Sequence, residues 1–383
     1  MILRPYAFIS NGEFQMGAEF VLDEGRIVEV RPQSGLPDDY ILSPAFVNVH
    51  SHLEYRGMQG MLEGGDFVEW IRRLIPVKAA QSAEEVAADC LVAAHENRAT
   101  GVGWIGEHSD RVGAAAAMNA VGLRGRIFQE VITAGSMNDI DSKLDFVRGK
   151  AAHQTAILGD EVSLNPHATY SVDEGTLRSL SEKAAPLSIH AAESLYENQL
   201  IRHGAGPYAE LERSLGLEPI ALGMSVIEYL DQVGFLKPGN QLVHACDVSS
   251  SDLDLMAERG VSVAHCPRSN DYLGCPVAPV LEMVRRGIPV GLGLDSAASS
   301  GPVDFFAEMR SAVDASLRIG KALSPEQVWG MATTGGAASI GLGRWDLWPG
   351  SRAPLIAVEV PNVFSTEELI ERGSPGVVRW ITG

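Results

Sequence analysis

Ile41-Leu42-Ser43-Pro44-Ala45-Phe46-Val47-Asn48-Val49-His50-Ser51-His52 is a short apolar run that ends in two histidines. Two residues apart on an extended chain, His50 and His52 point the same way. The plan recurs along the sequence. Strands are expected at Val47–His50, Val102–Glu107, Arg126–Val131, Val162–His167, Leu187–His190, Gln241–His244, Val261–His265 and Pro289–Leu294. Most of the intervening stretches read as helices, including Ser82–Arg98, Asp173–Lys183, Ser250–Arg259 and Ala278–Arg286. Ser82 with Glu85 fits a capping box, whereas Ser250 with Leu253 does not. Strand–helix alternation predicts an α/β protein with a parallel sheet and helical crossovers. Eight units favour a closed, TIM-like (β/α)8 barrel, which gathers every strand C-terminus at one rim. No glycine-rich phosphate loop follows any of the strands, which argues against a dinucleotide-binding sheet.

Outside this pattern the chain ends look alike. Phe20-Val21-Leu22 and Arg26–Val30 flank the turn Asp23-Glu24-Gly25, and Pro354–Val358 reads as another strand. The expected division is therefore a small β-sandwich from residues 1–44 and 345–383 beside a barrel over 45–344. With 383 residues and 45% hydrophobic composition the chain can bury a large core. No apolar run reaches the length of a membrane span, and the N-terminus lacks a signal-peptide pattern. A net charge of −19 disfavours nucleic acid and anionic lipid as partners. Cys90, Cys246, Cys266 and Cys275 form no C-x-x-C pair. They read as reduced packing residues of a cytoplasmic protein. A homodimer is the common prior for such an enzyme.

The polar strand ends form a ligand set. His50 and His52 close the first strand, His190 the fifth, and Asp295 follows the eighth. Three imidazoles and one carboxylate, completed by water, make an open catalytic metal site rather than a closed structural one. Zinc and ferrous iron both suit these donors. His52-Leu53-Glu54 matches half of the cytidine-type zinc deaminase signature, but the P-C-x-x-C half is missing. Glu54 is therefore read as structural, or as a support behind the ligands, rather than as a proton shuttle.

With these motifs assembled, the chain resembles the amidohydrolase superfamily from Pro44 to about Gly343. Pro44–His52 is similar to its first-strand motif. His190-Ala191-Ala192-Glu193 resembles the H-x-x-E of its aromatic-base deaminases and chlorohydrolases. His244, His265–Asn270 and Gly293-Leu294-Asp295-Ser296 match the later strands. The resemblance implies one divalent metal, zinc first and iron second, held by His50, His52, His190 and Asp295. The fourth strand ends in Asn165-Pro166-His167 without the lysine of the binuclear branches, which implies a mononuclear centre.

The implied chemistry is hydrolytic deamination of a small molecule. Asp295 takes a proton from the attacking water, Glu193 protonates a ring nitrogen, and His244 steadies the developing oxyanion. Trp70 and His167 are expected to contact the base, and Ser296 to lie beside it. Asn270 is expected to bond backbone, and His108 has no evident partner. The loops Gly65–Trp70, Pro166–Val172, Arg202–Gly206 and Cys266–Gly274 are similar to those of enzymes acting on 6-amino-6-deoxyfutalosine, in an alternative menaquinone pathway. Adenosine-specific relatives often place a ribose-binding acid after the tryptophan helix. Here the chain reads Ile75-Pro76-Val77-Lys78. Lys78, Arg202 and Arg268 are accordingly expected to meet an anionic tail. The alternatives are an adenosine or S-adenosylhomocysteine deaminase, a chlorohydrolase or cyclic-amide hydrolase, and a non-catalytic binder.

Overall fold

The run Ile41–Val49 does not form one strand: it divides at Ala45 in the computed structural model, which describes residues 1–136, 139–183, 186–214 and 218–382. Asp38–Pro44 pairs antiparallel with Leu355–Val358 near the other chain end. Phe46–Ser51 instead opens the central sheet as β1. Ala45 is pinned from both sides. Its N–H donates to Pro354 O at 2.8 Å, and its carbonyl accepts from Trp345 Nε1 at 2.7 Å. Phe46 stacks on Phe305 with centroids 5.1 Å apart and meets Phe306 and Trp329 edge-on.

The remaining central strands are β2 (Val102–Ser109), β3 (Arg124–Val131), β4 (Ser163–Pro166), β5 (Ser188–Ala191), β6 (Gln241–His244), β7 (Ser262–His265) and β8 (Val290–Leu292). Each overlaps an expected strand. All are parallel, in two sheets ordered β4-β3-β2-β1 and β5-β6-β7-β8. β1, β6 and β7 are buried throughout, as parallel strands covered on both faces must be.

The arrangement is TIM-barrel-like, but the paired strands do not make one unbroken ring. The two sheets meet through single parallel bridges, Ser51 with Asp295 and Ala168 with His190. Asparagine side chains supplement the sparse backbone hydrogen bonds at these seams. At the first, Leu294 N–H donates to Asn48 Oδ1 at 3.0 Å. At the second, Ser188 N–H donates to Asn165 Oδ1 at 2.8 Å, and Asn165 Nδ2 donates to Ser188 O. Pro166, next to Asn165, has no N–H to offer a ladder.

Ile2–Leu3, Ala18–Asp23 and Arg26–Pro32 form a three-stranded sheet containing the expected hairpin. A five-stranded sheet runs Val378–Trp380, Leu355–Val358, Asp38–Pro44, Pro5–Ser10, Glu13–Gln15, and so combines both chain ends. Leu3, Phe20, Phe8, Leu42 and Leu355 share one apolar cluster across the two sheets.

Helix starts follow their caps. Ser82 and Glu85 make a full capping box before Ala83–Ala99. Ser250–Arg259 is capped one residue earlier than its sequence suggests, by Ser249 with Asp252. Three further helices surround the rim: α1 (Phe67–Ala80), α2 (Leu195–His203) and α3 (Pro207–Ser214). Among the described residues no helix is long and apolar enough to cross a membrane.

Candidate active site

The strand ends bring four histidines and two acids together. His52 Nε2 lies 3.4 Å from His190 Nε2. Asp295 Oδ1 lies 3.5 Å from His50 Nε2 and 3.7 Å from His52 Nε2. Ligand atoms of His50, His52 and Asp295 fall within 4.8 Å of one another, as do those of His50, His190 and His244, and those of Glu193, His244 and Asp295. Ala192 (φ 51°), His244 (φ 73°), Ala245 (φ 47°) and Asp295 (φ 54°) all hold left-handed backbone. Such strain in residues bearing a Cβ is typical of functional sites. It re-aims the side chains where the strands end.

Hydrogen bonds on the far side of each imidazole set which nitrogen faces the centre. His190 Nδ1 donates to His167 O at 2.9 Å, leaving Nε2 as a lone pair. His244 Nδ1 donates to Asn270 Oδ1 at 2.8 Å, which turns its Nε2 toward Glu193 Oε1, 3.4 Å away. Asn270 thus serves a histidine, not the backbone role expected of it. Ser269 Oγ donates to Asp295 Oδ2 at 2.5 Å. His50 Nδ1 lies 3.0 Å from His108 Nδ1, so His108 has a partner after all.

These surroundings suit a divalent cation. His50 Nε2 is buried without a hydrogen-bond partner. Burial keeps the other imidazoles neutral, with His190 pushed down to about 4 and His244 to about 3. Burial opposes ionisation of Asp295, yet the His50, His52 and His244 imidazoles crowded around it hold its carboxyl well below the usual range. Neutral nitrogens and one ionised oxygen are the donors that zinc or ferrous iron takes.

Glu193 is driven the other way. Burial, then the charges of Asp295 and Glu197, push its carboxyl well up. Two neighbouring acids with opposed proton affinities mark a division into base and acid. Glu197 accepts from Glu193 N–H at 3.2 Å and from Thr169 Oγ1, anchoring this turn. Glu130 is a further buried acid, its Oε1 unpartnered and 3.8 Å from His190 Nδ1. Nothing in local spacing marked Glu130 or Ser269; His108 at least stood at a strand end.

A cavity of about 400 Å³ opens above the cluster. Trp70, His167, Lys78 and Ser296 line it, as do Tyr55, Phe67, Tyr170, Tyr208 and Glu212. Arg202 and Arg268 do not. Arg202 is exposed on α2, and the Arg268 guanidinium donates to Pro302 O at 2.8 Å and lies 3.9 Å from Glu308. Lys78 faces the cavity but is held by Asp110, Nζ to Oδ2 2.6 Å, with both side chains mostly buried. Its charge is thereby matched within the protein. Glu54 accepts the N–H groups of Asp110 and Arg111 at 3.2 and 2.8 Å, which is the structural role its sequence suggested.

A model of the amidohydrolase family matches residues 41–378. A 5-methylthioadenosine/S-adenosylhomocysteine deaminase of Natronomonas pharaonis is 28% identical over 351 residues, covering 86% of this chain and 76% of that one. A 5'-deoxyadenosine deaminase of Methanothermobacter thermautotrophicus is 31% identical over 327 residues, covering 82% and 73%. Among solved structures, a zinc-bound adenosine deaminase of Xanthomonas campestris superposes with a TM-score of 0.83 at 23% identity, over 98% of this chain and 90% of that one. An aminofutalosine deaminase of Helicobacter pylori, in complex with methylthio-coformycin, gives 0.82 at 19% identity over 99% of both.

Proposed function

This chain belongs to the amidohydrolase family, and from that membership we propose that it is a metal-dependent aminohydrolase releasing ammonia from an adenine-type base. It is a hydrolase of non-peptide carbon–nitrogen bonds. The observation that carries the proposal is the pairing of Glu193, whose carboxyl is pushed up, with Asp295, whose carboxyl is held down, across the histidine cluster. Deamination of a ring amidine needs one group to accept a proton from water and another to deliver one to the ring. The relatives that act on adenine nucleosides support the same reading.

His50, His52, His190 and Asp295 would hold one divalent cation, zinc in the first instance. When bound, it supplies the Lewis acidity that makes water nucleophilic near neutral pH. Asp295, fixed by Ser269, accepts the water proton. Glu193 delivers a proton to the ring nitrogen beside the carbon under attack. His244, oriented by Asn270, hydrogen-bonds the oxygen that gains charge. The aromatic walls, Trp70 and Tyr55 among them, seat the base and exclude water. The two terminal sheets and their shared apolar cluster fit a small β-sandwich over 1–44 and 345–383, beside a (β/α)8 barrel over 45–344.

The specific substrate we propose is 6-amino-6-deoxyfutalosine. Its support is loop resemblance and an aromatic cavity suited to a substrate with a second ring. A second reading, a 5'-deoxy- or 5'-methylthio-adenosine, is favoured by the ion pair that occupies Lys78 and by the distance of Arg202 and Arg268 from the cavity lining. Ammonia release by zinc-loaded protein, with 6-amino-6-deoxyfutalosine, 5'-deoxyadenosine, 5'-methylthioadenosine, S-adenosylhomocysteine and adenosine side by side, tests both. Preference for the first compound supports the first reading, and preference for the 5'-apolar nucleosides supports the second. No ammonia from any of them overturns the adenine-base assignment.

A further inference from the structure

One charged group in the cavity has no task in the chemistry above. Glu212 lines the cavity, is half-buried, and has no hydrogen bond or ion pair among the described residues. Trp70 Nε1 and the Tyr208 hydroxyl in the lining also lack partners, and both can donate, whereas Glu212 is the lining carboxylate outside the catalytic pair. Lys78 is bound to Asp110, Ser171 donates to Ala168 O, and the Ser296 hydroxyl meets that of Ser299. A carboxylate facing mostly apolar walls is unfavourable unless something donates to it. Burial already raises the Glu212 carboxyl against the pull of Arg213.

A run of ring contacts links the histidine floor to the helix that carries Glu212. The His190 ring lies 4.8 Å from His167, His167 6.0 Å from Tyr170, and Tyr170 stacks on Tyr208 at 4.3 Å. Tyr208 and Glu212 are four residues apart on α3 and share a face, with a separation of about one helical turn or 5–6 Å. Glu212 therefore stands one turn from the aromatic shelf that borders the histidine floor. Glu212 and the histidine floor line one cavity. Packed beside α3, with the Phe67 and Tyr208 rings edge-on at 6.2 Å, the lining face of α1 presents Phe67, Trp70, Ile71, Leu74 and Ile75, and then Lys78, which can only donate. α1 thus supplies no acceptor for hydroxyl groups.

We propose that Glu212 is the specificity-determining acceptor for the vicinal hydroxyls of the substrate's ribose, its two oxygens taking the paired O–H donors. This deepens the adenine-nucleoside reading and rests on it.

Inosine and 2',3'-dideoxyinosine test the proposal without turnover, because neither carries the amino group. Calorimetry on zinc-loaded protein should show wild type binding inosine about 10–100-fold more tightly, the range of a hydrogen bond to a charged group. Glu212→Ala should lose that margin and bind the dideoxy compound within about twofold of wild type, with Glu212→Gln falling between. Equal or undetectable binding of the two nucleosides by wild type overturns the proposal, and so does an equal loss on both in Glu212→Ala. Ammonia release from adenosine and 2',3'-dideoxyadenosine is read separately. No ammonia from these or from any of the compounds compared above sinks the aminohydrolase reading, while the inosine pair still decides Glu212.

Discussion

His108 Nδ1 lies 3.0 Å from His50 Nδ1, and both rings are fully buried. One nitrogen must donate. If His50 presents a lone pair on Nε2 toward Asp295, its proton sits on Nδ1 and His108 accepts it. His108 thereby positions a proposed metal ligand without touching the cation. Partners of this kind are worth about 10–100-fold in metal affinity. His108→Phe should raise the zinc dissociation constant by that factor in a chelator competition, while His108→Asn, which keeps an acceptor, should recover most of it. Unchanged zinc affinity in both variants would remove His108 from the site.

Glu193→Gln keeps the shape of the carboxyl and removes its transferable proton. Turnover should fall by about 10²–10⁴-fold, the usual contribution of general acid–base catalysis. Zinc content and inosine affinity should stay near wild type. A variant that retains full turnover would show that the ring proton comes from elsewhere.

Lys78 was expected at an anionic tail, and its ion pair with Asp110 gives it a structural duty instead. Removing one partner of a mostly buried pair leaves the other uncompensated. Lys150 Nζ, 3.4 Å from Asp110 Oδ1, offsets only part of that. Lys78→Met should destabilise the fold by about 3 kcal/mol in urea titration. A loss below about 0.5 kcal/mol, combined with a specific loss of affinity for carboxylate-bearing nucleosides, would return Lys78 to substrate binding.

His265 is buried and burial lowers it from 6.5 to about 4, so it folds neutral. Above pH 6.5 folded and unfolded chains are both neutral at this position, and its contribution to stability is complete. As pH falls from 6.5 toward 4 the unfolded state gains a proton that the folded state refuses, and stability drops. Wild type should therefore lose stability over this window more steeply than His265→Phe, by about 1–3 kcal/mol in total. Parallel pH curves for the two proteins would show that His265 is protonated in the fold.

The strand ends were legible because a parallel sheet puts chemistry at one edge and leaves a sequence mark, an apolar run closing on a polar residue. His50, His52, His190, His244 and Asp295 all carried that mark, and the structure gathers them. The residues that aim them did not. Asn270 and Ser269 lie in the α-helix Pro267–Tyr272, and only the fold brings them to His244 and Asp295. The arginines failed for the opposite reason. Guanidinium chemistry suits a carboxylate, but Arg202 is exposed outside the cavity lining and Arg268 is engaged by Pro302 O, a matter of tertiary placement that no motif encodes. The unbroken ring also failed to appear, because Asn48 and Asn165 close the seams with side chains that look like ordinary strand residues.

The seam between β1 and the residues beyond β8 sets an order of events in the cell. Asp295 N–H donates to His50 O at 3.1 Å, and Asp295 O accepts from His52 N–H at 3.4 Å. A ribosome releases the two histidines early and the aspartate only after most of the barrel has emerged. With the proposed ligand set, a growing chain would carry an incomplete chelate for most of its synthesis, and fragments ending before Asp295 should bind zinc weakly. On that proposal metal capture would be the closing step of maturation, and a loaded site would report that the polypeptide has been finished and folded.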